Sequence, residues 1–316
     1  MSVAAGLDPD AQALLAGRPA GPPLAELSVA QARAGFAQSR VALSGVPPDV
    51  ASVRDLRVPT AAGEIGARLY RAAGTEPQAE LPGVVFFHGG GWVLGDLDTH
   101  DVTCRQLANA AMCSVLAVDY RRPPEFVFPA AADDAYAATD WFAAFAGTLR
   151  VDRERIAVMG DSAGGNLAAV TALAARERGR PRLRMQVLVY PVVDLQLAAD
   201  SFARLAEGFT LTRDAMEWFR SQYAPNEADW NDWRASPLRA ENLRDLPPAF
   251  VVTAGFDPLC DEGAAYADRL RADGNSVQYR HFAGQMHGFL GAAGAIRAAV
   301  PAIEEIGAAL HAAWHD

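Results

Sequence analysis

Five short apolar runs, interleaved with helical stretches, constrain this chain more than any other feature. Val84 to Phe87, Val115 to Val118, Ile156 to Met159, Met185 to Tyr190 and Phe250 to Thr253 have strand length and are almost wholly apolar. Thr99 to Ala111, Ala131 to Phe145, Ala163 to Arg178 and Glu262 to Ala272 have helical composition. A strand that is apolar on both faces has to be covered on both. The alternation therefore predicts an α/β fold with a mostly parallel central sheet flanked by helices. Ahead of it, Val53, Leu56 and Val58, then Ile65, Ala67, Leu69 and Tyr70, predict a hairpin around Ala62-Gly63. Gly74 to Pro82 reads as a loop. Behind it, Val277 to Phe282 predicts a last strand leading to a helix near Ala295 to Ala313.

Two stretches fall outside the alternation. The first reads as helix over Ala11 to Leu15 and Leu24 to Val41, with breakers at Arg18 to Pro23 and Val46 to Pro48. The second, Gln196 to Arg234, sits where a short crossover would suffice. It holds Phe202, Phe209, Trp218, Phe219, Tyr223, Trp230 and Trp233. Long insertions in α/β folds often serve function, so it is read as a lid. The alternative is a peripheral helix pair burying its own aromatics.

Composition removes several chemistries. All 28 basic residues are arginine. Without lysine there is no Schiff-base, P-loop or S-x-x-K site. A net charge of −10 with no cationic cluster argues against nucleic acid. Three cysteines, Cys104, Cys113 and Cys260, without a C-x-x-C pair suggest neither a disulfide framework nor a zinc site. They read as buried free thiols of a reducing compartment. Met1 to Asp10 has no basic n-region, and no apolar run reaches the ~18 residues of a membrane span. The expectation is a cytoplasmic protein without stable membrane insertion.

Gly160-Asp161-Ser162-Ala163-Gly164 is a G-x-S-x-G run between an apolar strand and an alanine-rich helix, the context this motif requires. A sharp strand-to-helix turn would lift the Ser162 hydroxyl above the sheet. Serine needs a neighbouring base. Of the six histidines, His287 is chosen because Gly284 and Gly288 flank it in a loop after the last strand. His281 lies within that strand, and His311 and His315 fall in the terminal helix. Asp257, in the loop after Phe250 to Thr253, would orient the imidazole and stabilise its cation. Asp261 and Glu262 are the alternatives, though they are expected to open the next helix. The order Ser162, Asp257, His287 is that of α/β-hydrolases. His88-Gly89-Gly90-Gly91 follows Val84 to Phe87. The N–H groups of Gly89 and Gly90, with that of Ala163, are expected to form an oxyanion hole. His88 itself is expected to hold the loop by hydrogen bonds.

The run HGGGWVLGDLDTHD from His88, GDSAGGN from Gly160, DPLCDEG from Asp257 and HGF from His287 resemble the bacterial hormone-sensitive-lipase family of carboxylesterases. The resemblance implies an α/β-hydrolase fold with Ser162, Asp257 and His287 as triad and Gly89, Gly90 and Ala163 as oxyanion hole. It also implies a helical cap built from residues 1–48 and 196–236, with core parts at 49–195 and 237–316. Trp92, Phe209 and Trp218 are expected to line the substrate pocket, and the family implies acyl chains of roughly four to eight carbons, a length limited by what can be buried. No metal or cofactor is called for. A small-molecule ester is the expected partner, and a homodimer the expected assembly. The same machinery serves amides, lactones and carbamates. A non-catalytic receptor of this family would lack the histidine. One segment departs from the family pattern: Tyr120-Arg121-Arg122-Pro123-Pro124-Glu125-Phe126 keeps the tyrosine, first arginine and glutamate but changes the middle and loses a histidine. It is expected to be structural.

Overall fold

In strand β3 (Leu81–Phe87) Val84 and Phe86 enter one core while Val85 and Phe87 enter another. Strand β5 (Val151–Asp161) repeats this, with Ala157 and Met159 on one side and Ile156 and Val158 on the other. That two-sided burial is the reason these strands read as unbroken apolar runs. The computed structural model describes residues 6–18 and 21–315. Residues 1–5, 19, 20 and 316 lie outside it, and with them parts of the readings made on Met1 to Asp10 and Arg18 to Pro23.

The remaining strands are β1 (Ser52–Thr60), β2 (Gly63–Arg71), β4 (Ser114–Asp119), β6 (Met185–Val189), β7 (Ala249–Phe256) and β8 (Val277–Met286). All eight form one sheet in the order β1-β2-β4-β3-β5-β6-β7-β8. The β1–β2 hairpin and the β2–β4 pair are antiparallel and every other pair is parallel. The helices are α1 (Pro9–Ala16), α2 (Val29–Ser44), α3 (Asp101–Ala111), α4 (Ala130–Ala144), α5 (Ala146–Leu149), α6 (Ala163–Arg178), α7 (Ser201–Arg204), α8 (Arg213–Tyr223), α9 (Cys260–Ala272) and α10 (Ala299–Ala313). Leu107 of α3 and Ile303 and Ile306 of α10 fill one core; Phe142 of α4, Leu167 of α6 and Tyr266 of α9 fill the other.

Several boundaries differ from the sequence reading. Leu24 to Val41 is not one helix. Leu24–Glu26 is a single 3-10 turn, Leu27 is extended, and Ser28 starts α2. Ser28 and Gln31 form a reciprocal capping box, which satisfies two orphan N–H groups at the new start. Leu81 and Pro82, read as loop, belong to β3. The pairing with β5 shifts register between Leu81 and Gly83, so proline sits where no ladder donor is needed. Strand β8 runs on to Met286, immediately before His287.

Candidate active site

The chemistry-bearing loops all leave the C-terminal ends of parallel strands: His88 to Gly91 after β3, Ser162 after β5, Asp257 after β7 and His287 after β8. In an open α/β sheet that edge is where ligands bind.

Ser162 has φ +58° and ψ −119°, a backbone conformation costing a non-glycine residue of order 1–3 kcal/mol. Its surroundings over-determine it. The Ser162 N–H donates to the Val189 carbonyl at 2.8 Å. A Cβ at Gly160 would strike the Gly164 carbonyl, and one at Gly164 would strike the carbonyl of Phe87. Both glycines are therefore steric requirements of the turn. The helix it opens, α6, is buried from Ala163 through Ala175, which accounts for its small side chains.

The triad residues meet. His287 Nε2 lies 2.9 Å from Ser162 Oγ and His287 Nδ1 lies 2.7 Å from Asp257 Oδ2. Asp257 is fully buried, and its other oxygen accepts the Leu259 N–H at 2.9 Å. Neither alternative acid reaches the imidazole ring. Asp261 pairs with Arg204 at 3.0 Å. Glu262 accepts the Val193 N–H at 2.7 Å, and burial pushes its carboxyl well above the ordinary range. The Tyr190 ring packs against His287 at 4.7 Å.

The glycine loop differs from expectation in one donor. The Gly89 N–H is committed to Asp161 Oδ1 at 2.9 Å, so it does not face an oxyanion. Asp161 is a buried carboxylate. Burial by itself would raise it, but His100, Arg40 and the Gly89 N–H together hold it below the usual carboxylate range. An anion anchored there takes the first glycine N–H of the loop. Gly90 and Gly91 then follow with φ +116° and +59°, conformations that L side chains avoid. A Cβ on Gly91 would overlap the Phe219 ring, so the insertion's α8 lays that ring directly on the glycine loop.

His88 holds the loop as expected. It stacks on Tyr120 at 4.3 Å, and the Tyr120 hydroxyl donates to the His88 carbonyl at 2.8 Å. Burial above all, then the neighbouring His100 and Arg122, push its pKa down to about 3, which disfavours the imidazolium form that a general acid would need.

The departing segment proves to be bracing. Arg121 forks onto Asp134 at 2.8 Å, and Arg122 donates to the Gly95 carbonyl. Glu125 receives both terminal nitrogens of Arg33 from α2 at 2.7 Å. That pairing lowers Glu125 to about 2.

The three proposed pocket residues divide. Trp92 is fully buried and stacks on Tyr223 at 4.2 Å. Phe209 packs on Phe256 at 5.3 Å beside Leu205 and Cys260. Trp218 is half-buried with its edge toward Phe219. Sequence reasoning missed Phe219 as the aromatic on the loop, Asn166 bonding the Val192 and Ala235 carbonyls, Thr210 donating to the His287 carbonyl at 2.7 Å, and Arg40. Only Asn166 had a signal, its fixed place in GDSAGGN.

Comparison with known proteins agrees with this geometry. A family described as alpha/beta hydrolase fold matches residues 84–291. The carboxylic ester hydrolase LipN of Mycobacterium tuberculosis is 46% identical over 75% of this chain and 64% of its own length, so the match spans just under two thirds of that relative. An ethyl acetate hydrolase of Pseudomonas putida is 39% identical over 90% of this chain and 92% of its own. Among solved structures, an ester-hydrolase from the metagenome of Lake Arreo, complexed with a bipyridine phosphonate derivative, superposes with a TM-score of 0.94 at 40% identity, covering 98% of this chain and 100% of that one. Strand order, serine elbow and relatives converge: the chain belongs to the α/β-hydrolase fold family, in its hormone-sensitive-lipase-like branch.

Proposed function

We propose that this protein hydrolyses short- to medium-chain carboxylic esters through an acyl-enzyme on Ser162, the activity class that its relatives' names carry. The observation that supports it most is the continuous relay from Ser162 Oγ through His287 to Asp257 at 2.9 and 2.7 Å. Ser162 Oγ attacks the ester carbonyl while His287 Nε2 takes its proton. Asp257 stabilises the imidazolium. The oxyanion is met by the N–H of Ala163 at the start of α6 and by those of Gly90 and Gly91. His287 returns the proton to the leaving alcohol; water then attacks the acyl-enzyme by the same route and releases the acid. No step calls for a metal or cofactor.

In this reading the described residues of 1–48 and 196–236 form a cap over the site, with the core in those of 49–195 and 237–316. Support comes from the residues that cross between them: Arg33 and Arg40 of α2 and Thr210 of the insertion all bond to loops at the strand ends. Phe219, lying on Gly91, sets the wall that ends the acyl or alcohol pocket. The three cysteines are free and buried, in keeping with a cytoplasmic site. Among the described residues no helix is long and apolar enough to cross a membrane. The negative net charge leaves nucleic acid out of the reading. β8 ends the sheet, and ahead of Gly284, whose carbonyl takes the Asp8 N–H, its outer edge is the strand backbone that a homodimer would use.

The test is a series of p-nitrophenyl esters of increasing acyl length, with amide and lactone substrates alongside, and intact-mass detection of an organophosphonate adduct on Ser162. Turnover that peaks at short to medium chains, with one adduct per chain, is the expected result. Fast hydrolysis of emulsified long-chain triglyceride, or an unlabelled Ser162, overturns the reading.

A further inference from the structure

We propose that Arg40 is a positioning residue that holds the two halves of the catalytic centre in register, an inference that rests on the ester-hydrolase reading above. Arg40 belongs to α2, far in sequence from every catalytic residue, yet its guanidinium ends between the nucleophile and base loops. One terminal nitrogen donates to the Gly288 carbonyl at 3.1 Å, and the other lies 3.7 Å from Asp161 Oδ2. Gly288 follows His287 and Asp161 precedes Ser162. A single side chain thus spans two positions, each one residue from a reacting group.

The slot is built for it. A Cβ on Gly291 would lie 2.7 Å from a terminal nitrogen and 2.9 Å from the central carbon of the Arg40 guanidinium, so any other residue there would push the guanidinium from its place. Phe36, one turn earlier on α2, lies under the guanidinium at 5.4 Å. The side chain is 11% exposed, and its Nε is buried without a partner. Burying a cation that leaves a donor unpaired is a poor way to stabilise a fold. Its location is explained instead by what it holds.

Two consequences reach the chemistry. On the base side, the carbonyls of His287 and Gly288 are both held from above, the first by Thr210 at 2.7 Å and the second by Arg40. On the oxyanion side, Arg40 helps keep Asp161 ionised, and Asp161 fixes the Gly89 N–H and so the turn through Gly90 and Gly91. Misplacing a catalytic group by about 1 Å can cost ~10²-fold in rate. Lysine cannot substitute fully, because a single ammonium lacks the planar fork that reaches two separated acceptors.

The test compares p-nitrophenyl butyrate kinetics of wild type, Arg40→Ala, Arg40→Lys and Arg33→Ala, well below each variant's melting temperature. Arg40→Ala is expected to lose roughly tenfold to a hundredfold in kcat with KM changed less than about threefold, the pattern of misplaced reacting groups rather than lost substrate contacts. Arg40→Lys retains the charge and falls between the two. Millimolar guanidinium restores part of the kcat of Arg40→Ala. Arg33→Ala, which loses an anchor two turns away on the same helix, lowers the melting temperature and keeps kcat within about threefold. A wild-type kcat in Arg40→Ala overturns the proposal. Should that variant fail to fold, a wild-type kcat in Arg40→Lys overturns the two-acceptor role. An active wild type with either result leaves the ester-hydrolase reading standing; a wild type that neither turns over esters nor labels at Ser162 overturns that reading, and this one with it.

Discussion

The sheet-end half of the site and the half contributed by α2 and the insertion are built on different principles. At the sheet end, backbone sterics decide. Gly160 and Gly164 are needed because any Cβ there meets a carbonyl, and Ser162 is forced to φ +58° by strand and helix on either side. In α2 and the insertion, long side chains decide. Arg33 and Arg40 reach carbonyls and carboxylates of the core, and Phe219 fills the space above Gly91. Backbone-defined geometry tolerates no substitution, whereas a wall of side chains can be trimmed. On the proposed function, one half would set the reaction and the other which substrates reach it.

Removing the nucleophile separates the two halves most sharply. Ser162→Ala should lower kcat for ester hydrolysis by about 10⁴ or more, with circular dichroism and melting temperature near wild type, because triad members act as a unit. A purified mutant with near-wild-type turnover would show that chemistry does not reside at the elbow.

A smaller but still large effect is expected from the acid. Asp257→Asn should cost about 10³–10⁴ in kcat through the wrong histidine tautomer. Asp261→Asn weakens a part-exposed pair with Arg204 and a thiol hydrogen bond from Cys260, neither of which touches His287, and should stay within about twofold. Exchange of the two results would move the acid to Asp261.

The cap aromatics should divide as their contacts do. Phe209→Ala removes a buried ring and should cost about 3 kcal/mol of stability in denaturant titration, with the acyl-length optimum unchanged. Phe219→Ala opens the space over Gly91 and should move the optimum to longer chains. If Phe219→Ala changes stability alone, the cap does not set substrate length.

The smallest expected effect concerns the brace between cap and core. Arg33 lowers Glu125 from 4.5 to about 2, so the ionised pair favours the folded state. That contribution is complete above pH 4.5 and is lost as pH falls through about 2. Glu125→Gln should melt slightly below wild type at neutral pH, by less than about 1 kcal/mol for so exposed a pair, and the gap should close as the pH is lowered. A gap that widens in acid would assign the brace to something other than charge.

The parts of the molecule legible in one dimension are those where a local requirement shows in local residues. Val84 to Phe87 and Ile156 to Met159 announce doubly covered strands because both faces are apolar at once. The relay Ser162–His287–Asp257 proposed as the triad could be picked out for a related reason: each residue sits where a strand ends, and each occupies a short run with glycine or proline beside it. The boundary at Ser28 was missed because helical composition continues on both sides of it, and only the capping hydrogen bonds mark the break. Gly89 was misassigned as a donor because its partner, Asp161, lies 72 residues away on another strand.

The alternation of covered strands with helices, the elbow and the chain order of the proposed triad were thus determined by the sequence itself, through burial periodicity and the steric demands of glycine. Tertiary structure alone decided which N–H groups remain free for an oxyanion, which aromatic lies on the glycine loop, and that Arg40 ends between Ser162's neighbour and His287's. The first depends on a carboxylate 72 residues from the glycine it binds, and the other two on long side chains crossing between segments more than a hundred residues apart. No spacing rule relates such residues, because their distance is set by how the cap packs onto the strand ends rather than by any local backbone geometry.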